Sequence, residues 1–309
     1  VPPNAQVTVR SPAKINLGLS VGPPRPDGFH PLATVYQAVA LYDDVTATLR
    51  DDSAITVEVV GDFAVDVPAD DSNLAVRAAR MLQVEFDVEE GVDLTIRKTI
   101  PVAGGMAGGS TDAAATLVAC NRLWGLGLSQ SELERIAAEL GSDVPFCLVG
   151  HTALGRGRGE QVTEVMSRGT FHWVFAIADG GLSTPAVYKE LDRLRPLRRV
   201  ESPEVRPELL SALLSGQSAA LAVALSNDMQ AAALSLRPEL AATLQFGLDQ
   251  GALAAMISGS GPTCLFLSTD SRRAVDLAVA LAESGLCRMV RQAEGPVPGA
   301  RVLPAPINR

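Results

Sequence analysis

The densest chemical signal in the chain is PVAGGMAGGSTDAAATLVACNRLW (101–124). Gly104, Gly105, Gly108 and Gly109 run into Ser110 and Thr111, and an Ala-rich helical pattern follows. Glycine lets the backbone turn sharply and lets a ligand approach main-chain N–H groups. A helix that starts there points free N–H groups and a positive dipole end at the same spot. Together these features make an anion site, and phosphate is its usual occupant. Ser110 and Thr111 can cap the helix or bond a phosphate oxygen. The plainer alternative is a flexible turn between a strand and a helix. Two common phosphate motifs do not fit. Gly109-Ser110-Thr111 lacks the lysine of a Walker loop, and the G-x-G-x-x-G fingerprint is absent. Asp112 either favours the helix start electrostatically or, if near phosphates, must point away or help hold magnesium.

Three smaller constellations accompany it. SPAKINLGL (11–19) sets Lys14 and Asn16 in an apolar run, and period 2 puts them on one strand face. Lys14 is either a strand-edge residue or a functional cation. GSDVPF (141–146) carries Asp143 just past a helix end, where it is either a turn or capping aspartate or a carboxylate facing a substrate hydroxyl. SGSGPTCLF (258–266) is a second glycine-rich turn, either a tight link between strands or a set of N–H groups closing on a ligand.

Regular elements must hold these pieces. QVTV (6–9), ITVEVV (55–60) and DLTIRK (93–98) alternate like half-buried strands. GPPRPDGFHP (22–31) marks a long loop. SNLAVRAARML (72–82) and SQSELERIAAEL (129–140) read as helices. The second opens on a Ser129/Glu132 capping box and stops at Gly141. Composition shifts after HTALGRGRGEQ (151–161), and FHWVFAIA (171–178) begins a new unit. Helices follow near 208–214, 218–225, 229–234, 238–249 and 273–284, with strands at 263–268 and near 287–291. The tail from Gly295 is rich in proline and reads as loosely held. The mixture fits two α+β domains better than one doubly wound sheet.

Composition narrows the possibilities. The 309 residues suggest two domains at about 150 residues each. Hydrophobic residues make up 47% and aromatic residues 4%, so the core is built mostly from Ala, Val and Leu. A net charge of -9 disfavours nucleic-acid partners. Cys120, Cys147, Cys264 and Cys287 show no CxxC spacing and read as buried thiols, and a structural zinc site has no support. With no long apolar run and no signal-peptide layout, no membrane contact is expected and a cytoplasmic setting is.

Taken in order, PAKINLGL, PVAGGMAGGSTDAA and SGSGPTC resemble the three motifs of the GHMP kinase superfamily, spanning about residues 11 to 268. The segments RPDGFHPL (25–32), DSNLAVRAA (71–79), GSDVPF and STPAVYK (183–189) resemble the branch that phosphorylates a methylerythritol carrying cytidine diphosphate. The resemblance implies a two-domain α+β fold. An ATP-binding N-terminal domain (1–166) and a C-terminal domain (167–309) would flank the active-site cleft. It implies ATP-dependent phosphorylation of the substrate's C2 hydroxyl, with Mg²⁺, in non-mevalonate isoprenoid precursor synthesis. Lys14 and Asp143 would be the catalytic pair and Asn16 would help hold the substrate. Phe29 and Tyr188 would sandwich the cytosine and His30 would bond its edge. Gly104, Gly105, Gly108, Gly109, Ser110 and Thr111 would cradle the ATP phosphates, with Asn73 and Lys98 close to the adenosine. No residue is assigned as a resident metal ligand.

The family loop usually carries glycine where this chain has Ala103 and Ala107. Alanine resists positive φ, so both positions are expected in ordinary backbone regions. Phe29 stands where tyrosine is common. Two alternatives have discriminators. A kinase for another alcohol, such as mevalonate or homoserine, would lack the DGFH segment. A non-catalytic nucleotide- or RNA-binding module would not combine Lys14, Asp143 and the full glycine loop.

Overall fold

The computed structural model describes residues 5–102, 104–195 and 202–304. In chain order the elements are β1 (Gln6–Val21), β2 (Leu32–Arg50), β3 (Ile55–Gly61), α1 (Leu74–Glu85), β4 (Gly91–Lys98), α2 (Gly108–Leu123), α3 (Gln130–Leu140), α4 (Val144–Val149), β5 (Thr152–Arg156) and β6 (Gln161–Glu164). Then come β7 (Phe171–Ile177), α5 (Thr184–Leu194), α6 (Pro207–Ser215), α7 (Ser218–Ala224), β8 (Ser226–Asn227), α8 (Gln230–Leu236), α9 (Leu240–Asp249), β9 (Ala254–Ile257), β10 (Cys264–Ser268), α10 (Ser271–Glu283), β11 (Met289–Gly295) and β12 (Arg301–Val302).

Two sheets carry the molecule. The larger runs β12-β1-β2-β4-β3, with β5 and β6 extending from β2 and β8 pairing with β1. The smaller runs β11-β7-β10-β9 and is antiparallel throughout. Helices α1, α2 and α3 cover the larger sheet through Ala78, Leu82, Leu117, Leu133 and Ile136, packed on Val45, Leu94 and Ile96. The α3 capping box forms as expected, with Glu132 bonding back to the Ser129 backbone.

Alternation in the smaller sheet separates two faces. Val174, Ala176 and Phe266 pack under Leu244, Leu277 and Leu281 of α9 and α10. Phe171, Trp173, Phe175, Leu265 and Leu267 pack instead on Ala13, Ile15, Leu17, Val35 and Val39 of the long β1–β2 pair. That shared layer joins the sheets, and the Trp173 indole N–H donates to Gln37 Oε1 within it at 3.0 Å.

Several expectations change. The strand β2 was not anticipated. Its first half is buried on both faces, so period-2 alternation begins only after residue 39. HTALGRGRGEQ is not a bare boundary but contributes β5 and the turn into β6. The tail to residue 304 is not loose. Ala300 N–H donates to Cys147 O at 2.8 Å, and β12 pairs with β1 at Val9↔Val302. Strand pairing overrides the local effect of its prolines. The expected boundary at 166/167 falls between β6 and β7, while β8 and β12 return to the first sheet.

Because the sheets share one apolar layer, Trp173→Ala should cost about 3–5 kcal/mol and leave urea unfolding a single transition. A loss below about 1 kcal/mol, or two separated transitions, would mean that the layers fold independently.

Candidate active site

A cleft of about 760 Å³ opens between the glycine loop, the end of β1, the loop 22–31, the start of α4 and helix α5. Lys14, Asn16, Phe29, His30, Gly104, Gly105, Gly108, Gly109, Ser110, Asp143 and Tyr188 line it. The antiparallel register sets Asn16 opposite Tyr36 and Lys14 opposite Ala38. Lys14 Nζ donates to Asn16 Oδ1 at 2.9 Å and lies 3.3 Å from Asp143 Oδ2. Asp143 occupies the N-cap position of α4, yet its side chain makes no capping hydrogen bond. The carboxylate faces Lys14 instead. Asn16 Nδ2 donates to Thr34 Oγ1 at 2.8 Å, so the amide is held from both ends.

The glycine loop is held from three sides. Met106 O accepts from the Lys14 N–H at 3.2 Å, and Thr111 Oγ1 donates to Pro12 O at 3.0 Å. The third side is the 258–261 turn, where Ser258 Oγ donates to Gly105 O at 3.0 Å. Gly105 has φ +76, and a Cβ there would lie 2.0 Å from Ser258 O, so no other residue fits. Gly259 and Ser260 of that turn reach the cleft.

The start of α2 has no side-chain cap, since its N-cap residue is Ala107, and the first backbone bond is Thr111 N–H to Ala107 O. The first N–H groups of the helix thus remain for an anion. Ala107 itself corrects an expectation. It sits at φ +60 and ψ 30, in the left-handed region. The helix start demands that turn, and the loop's three attachments hold it there. Ala103 lies outside the described residues.

Three residues expected to touch the nucleotide do not line the cleft. Lys98 is 1% exposed, and its Nζ donates to Asp43 Oδ2 at 2.5 Å and Asp112 Oδ2 at 2.7 Å. Burial disfavours its charge, but the two carboxylates outweigh that and raise its pKa. Burial drives the Asp112 carboxyl well above the usual carboxylate range; Lys98 opposes this and Asp43 reinforces it. Asp112 faces Lys98 and does not line the cleft. Asn73 caps α1, with Oδ1 accepting from Ala75 N–H and Nδ2 donating to Pro68 O, which commits its amide. Thr111 is fully buried, with its hydroxyl committed to Pro12.

The aromatic end also differs in detail. His30 stacks on Tyr188, with ring centroids 4.8 Å apart, and its Nε2 bonds Asp192 Oδ1 at 2.9 Å. Phe29 is half exposed, with the Arg158 guanidinium 5.1 Å from its ring centroid. A base sandwiched by Phe29 and Tyr188 must therefore use the second face of each ring.

Sequence reasoning missed other lining residues: Tyr36, Ser142, Arg158, Thr184, Lys189 and Asp192. Thr184 and Asp192 were findable, because they lie four residues either side of Tyr188 on one face of α5. Tyr36 needed the register of a strand that was not anticipated.

Comparison with known proteins identifies the family and the fold. Residues 73–151 match the family described as GHMP kinases N terminal domain, and residues 209–286 match GHMP kinases C terminal. The chain is thus a GHMP kinase, a small-molecule kinase of α+β fold. It is 58% identical over 297 residues to a 4-diphosphocytidyl-2-C-methyl-D-erythritol kinase of Streptomyces avermitilis, covering 96% of this chain and 99% of that one. It is 53% identical to the Mycolicibacterium smegmatis protein of the same name, covering 97% and 93%. A solved 4-(cytidine 5'-diphospho)-2C-methyl-D-erythritol kinase superposes with TM-score 0.77 at 29% identity, over 93% of this chain and 98% of that one. The homoserine kinase of Cytophaga hutchinsonii, at 19% identity, shares the fold with TM-score 0.74, over 96% and 97%. With these relatives, the chain belongs to the 4-diphosphocytidyl-2-C-methyl-D-erythritol kinase family.

Two variants test the loop's supports. Lys98→Met leaves two buried carboxylates without their cation and should cost about 3–5 kcal/mol in urea unfolding. Unchanged stability with a raised KM for ATP would instead make Lys98 a ligand contact. Ala107→Gly removes a left-handed alanine and should raise stability by about 0.5–1 kcal/mol, read by thermal denaturation. A loss of stability would show that the position is unstrained.

Proposed function

We propose that this kinase transfers the γ-phosphoryl group of ATP to the C2 hydroxyl of 4-diphosphocytidyl-2-C-methyl-D-erythritol, in the cytoplasm, as a step of non-mevalonate isoprenoid precursor synthesis. The observation that carries the reading is Asp143 held beside Lys14 at 3.3 Å, in the same cleft as the uncapped start of α2. Asp143 orients the attacking hydroxyl and accepts its proton. Lys14 pairs with the carboxylate at 3.3 Å and stabilises developing charge. Asn16 fixes Lys14 and helps hold the substrate. Phosphoryl transfer has a loose transition state, so positioning and charge stabilisation do most of the work.

The N–H groups of Gly108, Gly109 and Ser110 hold the ATP phosphates, with Gly104 and Gly105 shaping the turn. Thr111, Asn73 and Lys98 act from beneath as supports. No group of three His, Cys, Asp or Glu able to hold a metal occurs among the described residues. Mg²⁺ would be carried mainly on the phosphates, with Ser110 and Asp143 among the cleft oxygens that would hold it. When bound, it would neutralise charge on the transferring group.

At the other end, Phe29, His30 and Tyr188 take the cytosine. A carboxylate only accepts, so Asp192 fixes the proton of His30 on Nε2. In the neutral ring Nδ1 then accepts from the base's exocyclic amino group. The division at 1–166 and 167–309 sets the ATP loop in the first unit and α5 in the second. No helix among the described residues is long and apolar enough to cross a membrane. The charge of -9 is consistent with a small-molecule partner and no nucleic acid.

An ATPase-coupled turnover assay with Mg²⁺ tests the reading. Turnover is expected with the cytidylated methylerythritol and not with mevalonate or homoserine. Lys14→Ala and Asp143→Ala should each lower kcat by at least about a hundredfold. Near-normal turnover in either variant removes that residue from catalysis, and turnover with another alcohol removes Phe29, His30 and Tyr188 from specificity.

A further inference from the structure

We propose that Tyr36 is a positioning residue for the phosphoryl transfer, acting through Asp143; this rests on the catalytic reading of Asp143 above. Tyr36 lies on β2 directly across from Asn16 and is 1% exposed. Its hydroxyl donates to Asp143 Oδ1 at 3.1 Å, while Lys14 approaches Oδ2 at 3.3 Å. The two oxygens of the carboxylate thus have different partners, a neutral donor on one and a cation on the other. That fixes the plane of the group and leaves a lone pair on each oxygen for the incoming hydroxyl. The Lys14 ammonium also lies 5.2 Å from the centroid of the Tyr36 ring, so one side chain orients both members of the pair.

The surroundings are shaped for this phenol. Phe146 of α4 packs against the ring with centroids 4.8 Å apart. The β5–β6 hairpin, the source of the LGRGRGE glycines, also stands against it. A Cβ at Gly159, where φ is +113, would lie 2.3 Å from the Tyr36 hydroxyl oxygen. A Cβ at Gly155 would lie 2.5 Å from ring atom Cε2. Those glycines make room for the ring and for its hydroxyl. Burial, with the charge of Asp143 adding to it, pushes the phenol well above its ordinary range. It therefore stays protonated and can only donate to the carboxylate.

The test is Tyr36→Phe in the full-length chain, which keeps the ring and removes the donor. We expect kcat to fall about tenfold, as for a hydrogen bond to a charged group, with KM for ATP and for the cytidylated alcohol within about twofold. The urea midpoint should stay near the parent value. In an Asp143→Asn background, Tyr36→Phe should lower kcat no further. Parental kcat in Tyr36→Phe, with Asp143→Asn impaired, overturns this proposal alone. Parental kcat in Asp143→Asn overturns both this proposal and the catalytic reading. A fall in kcat of equal size in both backgrounds, or a loss confined to KM and stability, assigns Tyr36 a structural role and overturns the proposal.

Discussion

Lys98 sits between Asp43 and Asp112 with almost no contact with water, and the geometry of the cleft depends on that arrangement. Asp43 belongs to β2, Lys98 ends β4 and Asp112 is the fifth residue of α2. Asp43 also accepts from the backbone N–H groups of Thr99 and Ile100, at 2.6 and 2.9 Å, just before the glycine loop begins. One ammonium thus ties the sheet, the entry to the loop and helix α2. The arrangement is costly in isolation, because two carboxylates share one cation away from solvent. Asp112 Oδ1 even lacks a hydrogen-bond partner. Its persistence is intelligible if it locates α2, since a helix N-terminus is useful only where its N–H groups point into the cleft.

The second half of the chain completes the loop rather than merely covering it. The Ser258 hydroxyl and carbonyl close on Gly105, and Asn227 Nδ2 donates to Ile257 O and Gly259 O at 2.8 and 2.7 Å. Thr184 of α5 meets Ser260 at 2.9 Å between hydroxyl oxygens, linking the start of α5 to the same turn. The apolar layer around Trp173 keeps these contacts in register with β1. Packing between the sheets and placement of the cleft are therefore a single problem, solved by the long β1–β2 pair that both sheets use.

Much of this was legible in the sequence, for identifiable reasons. The motifs at 11–19, 101–124 and 258–266 announce themselves because glycine and isolated polar residues are unusual in strand-like apolar runs. Their convergence was implied by the family resemblance, not by spacing. The helix at 129–140 was readable from its cap and periodicity, and the one at 273–284 was placed within two residues of Ser271–Glu283. The strand at 32–50 was not, because burial on both sides erases alternation. The family resemblance put Lys98 close to the adenosine, and only the register of the unseen β2 brings Asp43 beneath it. The same resemblance put Asn73 there and Thr111 at the phosphates, while here each is occupied by backbone partners.

Ala107 carries the argument one step further. A non-glycine residue in the left-handed region is strained by about 1–2 kcal/mol, and strain of this kind clusters where geometry is imposed by function. Here it coincides with a helix start that has no side-chain cap and with a half-satisfied buried carboxylate one turn later. Each of these departures would be unfavourable in a chain selected for stability alone. All three lie within six residues along the chain, Ala107 to Asp112, a stretch whose first four residues line the cleft. The direction of inference runs from the strained backbone to the anion: on the proposed reading, the loop keeps its donors uncapped because the phosphates of ATP are their partners.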